Sequence, residues 1–392
     1  MTGATLTINT LNIIKNYKAI KKYVGEQVNV AAVIKCNCYG LGMKYVAPAI
    51  FKAGCKEFYV ANMNEGIALR NLLNEPDIYV LNGIEAGQEK GFLKERLIPV
   101  INNLHQLEVW AHASKKYRKK LKCSLHVDSG MTRTGIDCHL ADEALSSLSK
   151  NKSLELCYVL SHLACADDVG NTKNKCQLDF MNSLKKKYPK FKYSFSNSAG
   201  IFLGKEYHFD QVRPGIILYG ENPCSVTLKS LPITLSSVIN LTSKIIDIHF
   251  IKDEIIQRSV GYNAIHKLKP GMVTATIPVG YGDGYSRRLS NKGCCYIDDI
   301  KVNIIGNISM DLTCIDISNI PKCFQKIGQE VELIGNNISI EKIARLSDTI
   351  NYEILTSFSD RYMVKYITNL ETLNVMKHCQ KIEQKVSLIY EK

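Results

Sequence analysis

Between residues 28 and 220 the chain repeats one rhythm: a short apolar run, a polar or glycine-containing turn, then a longer segment with helical spacing. Eight runs mark it, at 28–34, 57–61, 78–81, 97–101, 123–127, 156–163, 193–195 and 212–218. Most are continuous rather than alternating, as expected of strands covered on both faces in a parallel sheet. The clearest intervening helix spans 172–188, where Cys176, Phe180, Leu184 and Tyr188 recur every fourth residue. Eight strand-helix units in this length predict a (β/α)8 barrel of the TIM type, with a doubly wound sheet as the alternative.

After Gly220 the pattern turns to alternation, at 233–250, 273–279, 296–305 and 330–334, broken by Gly, Asn and Pro. This predicts a mainly antiparallel β domain with one helix over 340–346. Pro223 and Pro232 place the break near 221–235, giving a barrel domain over 1–230, a β domain over 231–375 and a charged tail over 376–392. Residues 5–8 also alternate and are candidates to pair with the second domain.

Composition narrows the class. With 392 residues, 45% hydrophobic and 22% charged, the chain has material for a large core and no bias towards disorder. No run approaches the length of a membrane span, and MTGATLTINT lacks the basic and apolar regions of a signal peptide, so a soluble cytoplasmic chain is expected. The 14 cysteines are scattered, and the Cys36/Cys38 and Cys294/Cys295 spacings are not those of a zinc knuckle, so reduced thiols and no metal site are expected. The charge of +13 allows an anionic partner. Its densest runs, 115–120 (KKYRKK) and 185–187, however, flank helical patterns and read as solvated faces. Without interleaved aromatic and basic strands, neither nucleic acid nor membrane is expected as a partner.

Barrels of parallel strands bind ligands at the C-terminal strand ends. The first run ends in Lys35, which is either an amine able to form a Schiff base with an aldehyde or a side chain snorkelling from the barrel mouth. The seventh run leads into Ser196, Asn197, Ser198, Ala199 and Gly200, and the eighth contains Arg213, Pro214, Gly215 and Ile216. Read alone, SNSAG is a helix cap; together with Lys35 it suggests a phosphate cup and hence pyridoxal phosphate. The fifth and sixth runs deliver His126 and His162, with Arg133 just beyond. In the second domain, 259–263, 280–284 and 306–311 concentrate polar, glycine and aromatic residues. The 280–284 stretch lacks the spacing and context of a dinucleotide loop, and no P-loop, HExxH or GxSxG is present.

The stretches AAVIKCNCYGLG (31–42), VDSGMTRTGI (127–136), SHLA (161–164), SNSAG (196–200), VRPGIILYG (212–220), SVGYNA (259–264), PVGYGDGY (278–285), ISMD (308–311) and TINYEILTSFSDR (349–361) resemble, in order, the signatures of alanine racemases. The resemblance covers nearly the whole chain and implies a barrel joined to a β domain, working as a head-to-tail homodimer that binds pyridoxal phosphate and supplies D-amino acid for cell-wall precursors. It makes Lys35 the Schiff-base lysine and one base, and Tyr262, from the partner subunit, the other. Inverting Cα requires proton removal on one face and return on the other, hence two groups on opposite sides. A free phenol titrates near pH 10, so a tyrosine base needs assistance. By resemblance, His162 hydrogen-bonds this tyrosine, Arg133 contacts cofactor and substrate, and Arg213 faces the pyridine nitrogen. Tyr39, Asn197, Ser198, Gly215 and Ile216 surround the phosphate, and the Met310 backbone meets the substrate carboxylate with Asp311 beside it. Tyr281 belongs to the substrate side.

Three departures stand out. His126 occupies the place of a carbamylated lysine that orients the arginine in many members. Asn307 replaces an arginine at the substrate entrance, opposite Asp167. Asp360 stands where a tyrosine usually closes the side-chain pocket, which points to serine or a broader substrate range as the alternative to alanine, unless Tyr362 supplies the ring. Amino-acid decarboxylation on the same architecture is a competing reaction. It calls for a glycine-rich phosphate loop and a second-domain cysteine, whereas SNSAG has one glycine and Cys314 lies beyond ISMD. A non-enzymatic cofactor-binding barrel would lack the second domain.

Overall fold

The computed structural model describes residues 3–224, 227–252, 258–369 and the backbone of 386–390. Parallel strands run in the order Ala32–Val33, Glu57–Val60, Asp77–Val80, Leu97–Ile101, Leu121–Asp128, Leu154–Leu160, Tyr193–Ser194, Gln211–Val212 and Asn29–Val30. The first and last of these are one interrupted strand, paired through Asn29–Val30 to Gln211–Val212 and through Ala32–Val33 to Phe58 and Tyr59. Eight strand positions therefore close on themselves, as the apolar runs predict. Val100, Leu125 and Val127 are inaccessible to solvent, which explains why the runs are continuous.

The eighth strand is shorter than its run. Pro214 has no N–H to donate, and the chain leaves the sheet to form a 3-10 turn at Ile216–Tyr219. The helix Thr172–Lys187 forms where expected, but it buries Leu178, Met181 and Leu184 and leaves Cys176 exposed. A strict spacing of four winds off a face whose period is 3.6, so Cys176 falls outside the contact while Leu184 is buried and Phe180 and Tyr188 pack partly against the core.

A second, mostly antiparallel sheet has the order Asp247–Phe250, Val273–Ile277, Thr313–Asp316, Ile300–Ile305, Cys294–Ile297, Glu330–Ile334, Ile239–Lys244, Ala4–Asn9, Met363–Thr368 and Val386–Tyr390. The run 296–305 is a hairpin: Ile297 pairs with Ile300 across Asp298, which takes φ 54°. The run 233–250 likewise divides into two strands at different places in the sheet. Of the expected tail, 376–385 and 391–392 lie outside the described residues; Val386–Tyr390 pairs in parallel with Met363–Thr368.

The N-terminal strand Ala4–Asn9 pairs with Ile239–Lys244 and Met363–Thr368, so the second sheet begins before the barrel does. Asn9 then caps the helix Thr10–Val24 by accepting from the Leu11 and Asn12 amides at 3.0 and 3.1 Å. Ile13, Tyr17, Ile20 and Val24 recur on its buried face, each worth roughly 1.5–3 kcal/mol in transfer terms, and Gly25 ends it at φ 88°. Buried Asn16 donates to the Leu218 and Ser236 carbonyls and accepts from the Ser236 amide at 2.7 Å, tying the barrel's last turn to the start of the second domain. Among the described residues no helix is long and apolar enough to cross a membrane.

Candidate active site

Lys35 leaves the first barrel strand into a turn of unusual backbone. Cys36, Asn37, Cys38 and Tyr39 all take positive φ, between 53° and 57°. L-residues pay roughly 1–2 kcal/mol each in this region, so other contacts must hold the turn. Glu65 is one of them: its carboxylate accepts from the Cys36 and Ala61 amides, each at 2.7 Å. Asn37 accepts from the Met43 amide at 2.7 Å. A Cβ on Gly40 would fall 2.6 Å from the Leu355 carbonyl oxygen, so the turn lies directly against the second-domain helix Asn351–Thr356.

Facing this turn across the mouth is Arg213, 4% exposed. It donates to Ser194 Oγ at 2.6 Å and to the Ser161 carbonyl at 2.5 Å, and its guanidinium lies 5.9 Å over the Tyr59 ring. No carboxylate among the described residues pairs with it. A buried guanidinium balanced only by neutral oxygens is costly unless a ligand completes the site, and burial lowers its pKa accordingly. The next residues form a tight cradle. Ser198 Oγ accepts from the Gly215 amide at 2.8 Å, Asn197 Oδ1 accepts from the Gly200 amide at 2.9 Å, and a Cβ on Gly215 would collide with the Tyr39 hydroxyl at 2.2 Å. The Tyr39 ring packs 4.8 Å from Tyr219 and 6.0 Å from Tyr352 of the second domain. A cavity of about 480 Å³ opens here, lined by Asn197, Ile216, Asp167, Glu341, Asn351 and Tyr352. An amine, a buried cation and small polar residues in a tight cradle fit an aldehyde that also carries an anionic phosphate.

Both strand-end histidines are neutral. His162 is held well below the usual imidazole value by desolvation first and then by the nearby cations Arg213, Arg133 and Lys35. His126, 7% exposed, is lowered to about 4 by desolvation, Arg213 and Arg133, with Asp128 opposing. Its Nδ1 lies 2.8 Å from Asn102 Oδ1. Asn102 donates through Nδ2 to the Leu81 and Val100 carbonyls at 2.8 and 2.9 Å, so its oxygen must face the ring. Nδ1 therefore carries the proton and Nε2 keeps its lone pair.

Arg133 is exposed on a loop folded over Asp128, whose carboxylate accepts from the Gly130, Met131 and Thr132 amides. Gly135, at φ 113°, passes so close that a Cβ would lie 2.8 Å from the Asp128 nitrogen. The strand ends thus gather Lys35, Tyr39, Arg133, His162, Asn197, Ser198, Arg213, Gly215 and Ile216.

Tyr262, Tyr281, Met310 and Asp311 form a second group on the β domain. Tyr262 is 70% exposed, so its ring is not seated in the barrel of its own chain. It sits on a turn between Gly261 and Asn263, both at φ 63°, and Asn307 Nδ2 donates to its carbonyl at 2.9 Å. Asp360 is exposed in a groove lined by Asn37, Lys44, Tyr45 and Tyr366, while Tyr362 is buried. Asp167 is exposed at the rim of the 480 Å³ cavity. Sequence reading missed Asn102, Glu65, Ser161 and Ser194 as partners of site residues. Asn102 immediately follows the fourth strand, so the strand-end rule applied there would have found it.

Two family descriptions match the chain: "Alanine racemase, N-terminal domain" over residues 8–223 and "Alanine racemase, C-terminal domain" over 238–366. Alanine racemase of Rickettsia canadensis is 38% identical over 93% of this chain and 99% of its own. That of Brucella canis is also 38% identical, covering 93% and 94%. Among solved structures, alanine racemase from Bartonella henselae with covalently bound pyridoxal phosphate superposes with a TM-score of 0.86 at 34% identity, covering 93% of this chain and all of that one. The biosynthetic alanine racemase of Pseudomonas aeruginosa gives 0.85 at 29% identity, covering 93% and 99%.

Proposed function

Because this chain belongs to the alanine racemase family, and is an isomerase that takes pyridoxal phosphate, we propose that it interconverts L- and D-alanine by two-base proton exchange. The observation that carries the reading is the pairing at one barrel mouth of strand-end Lys35 with a buried Arg213 that has no carboxylate partner. Tyr39, Asn197, Ser198, Gly215 and Ile216 would hold the cofactor's phosphate, and Arg213 would donate to its ring nitrogen. When bound, the cofactor supplies a sink for the electron pair left on the substrate's Cα.

Lys35 Nζ moves the Cα proton on one face, and Tyr262 Oη of the partner subunit moves it on the other. Arg213 can only donate, so it leaves the ring nitrogen unprotonated and restrains the sink, which disfavours side reactions. Arg133 and Arg213 make the mouth cationic, favouring the ionised form of an acid docked there, and His162 stays neutral and able to share a hydrogen bond with the phenol. The Met310 amide binds the substrate carboxylate, with Asp311 and Tyr281 around it.

A homodimer follows from the same logic. Tyr262, Ile265, Met310 and Leu312 are 70%, 47%, 55% and 41% exposed on the β domain, an apolar set suited to a second copy of this chain. Asp360 lies exposed in a groove shared with Asn37 and Gly40 of the Lys35 turn, and serine is the alternative substrate it points to. Purified protein with pyridoxal phosphate, incubated separately with L-alanine, L-serine and L-lysine, tests the reading by chiral chromatography. D-Alanine should form fastest; absence of any D-isomer would defeat it.

A further inference from the structure

Three second-domain segments meet at one guanidinium. Asp283 is 5% exposed and ends the 3-10 turn Tyr281–Asp283; its Oδ2 accepts from the Gly280 amide at 2.9 Å and its Oδ1 lies 3.1 Å from Arg361 Nε. The other side of the fork, Arg361 Nη2, lies 2.6 Å from Asp311 Oδ1. Between these ion pairs the Gly282 amide donates to the Met310 carbonyl at 2.8 Å and the Tyr281 amide to the Ser309 carbonyl at 3.1 Å. The approach is close: a Cβ on Gly280 would lie 2.4 Å from the Met310 carbonyl oxygen. The Met310 carbonyl is thereby pinned inward, while among the described residues no acceptor takes its amide.

We propose that Arg361 is a positioning residue for substrate binding: by bridging Asp283 and Asp311 it fixes the 308–311 loop so that the Met310 amide meets the substrate carboxylate. The proposal rests on the racemase reading of Met310. Arg361 touches neither substrate nor cofactor. A planar fork gives each carboxylate its own nitrogen in a fixed geometry, whereas a lysine ammonium offers both a single point charge. The Asp311 end is solvent-accessible, with the two side chains 46% and 53% exposed, so this arm selects a loop position more than it stabilises the fold.

The test uses full-length holoenzyme and acetate, a ligand that has the substrate's carboxylate and nothing that turns over. Asp311→Asn is the principal variant because it leaves the Asp283–Arg361 pair intact; Arg361→Gln and Arg361→Lys accompany it. Acetate affinity by calorimetry should weaken about tenfold in Asp311→Asn and Arg361→Gln, the size of one well-aligned charge-assisted contact. Arg361→Lys should recover part of the loss, and the double variant Asp311→Asn/Arg361→Gln should be no weaker than Arg361→Gln alone. KM for alanine should rise in parallel while kcat changes less than about threefold. Unchanged acetate affinity in Asp311→Asn, or additive losses in the double variant, would overturn the proposal. D-Alanine formation by the wild type tests the racemase reading separately.

Discussion

Replacing His126 with asparagine should flatten the protein's stability at acid pH. Asn keeps an N–H donor near the position of Nδ1 for Asn102 Oδ1, but it does not titrate. The imidazole falls from its ordinary 6.5 to about 4, through desolvation first and the cations Arg213 and Arg133 next, with the Asp128 carboxylate opposing. Below about pH 6.5 the unfolded chain takes up a proton here and the folded chain does not, so stability is complete above 6.5 and is lost as the pH falls towards 4. At pH 4.5 the loss from this ring alone is on the order of 2.5 kcal/mol. Urea unfolding of both proteins at pH 7 and pH 4.5 measures it. The wild type should lose about 2–3 kcal/mol more than His126→Asn between the two. The lost ring leaves a cavity that lowers the variant's absolute stability at both pH values, so only the difference in slope counts. Equal losses would refute the neutral, Asn102-oriented imidazole.

Gly215→Ala sets a methyl group against the Tyr39 hydroxyl, at 2.2 Å before relaxation, and should weaken pyridoxal phosphate retention at least tenfold on dialysis, followed by visible absorbance; retention equal to wild type would contradict the cradle. Glu65→Ala removes the acceptor of the Cys36 and Ala61 amides and should cost roughly 2–4 kcal/mol in urea unfolding, with Glu65→Gln losing less. Tyr262→Phe should bind cofactor normally yet slow racemisation, one direction more than the other in its primary deuterium isotope effect; undiminished rates both ways would exclude the phenol as a base.

Much of the barrel was legible because burial on both faces of a parallel strand leaves an uninterrupted apolar run, as at 97–101. The run 212–218 misled because Pro214 takes the chain out of the sheet while the residues stay buried in a 3-10 turn. At 296–305 the two-residue turn at Asp298 and Asp299 was hidden inside an apparent single strand. Strand-end logic and family resemblance named Lys35, His162 and Arg213. The supporting residues were harder to see: Asn102, at the end of the fourth strand, was open to the strand-end rule, whereas Glu65 and Arg361 act on residues distant in sequence and look like ordinary cap or surface residues until the fold assembles them.

The central claim, that each site takes Lys35 from one subunit and Tyr262 from the other, is tested most directly by mixing two impaired variants, Lys35→Ala and Tyr262→Phe, under conditions that exchange subunits, and reading the gain over their separate activities. Random re-pairing makes half the dimers hybrid, and each hybrid has one site with both residues intact, so activity should return to about one quarter of wild type. No recovery, with hybrids verified by native mass spectrometry, would contradict the shared site.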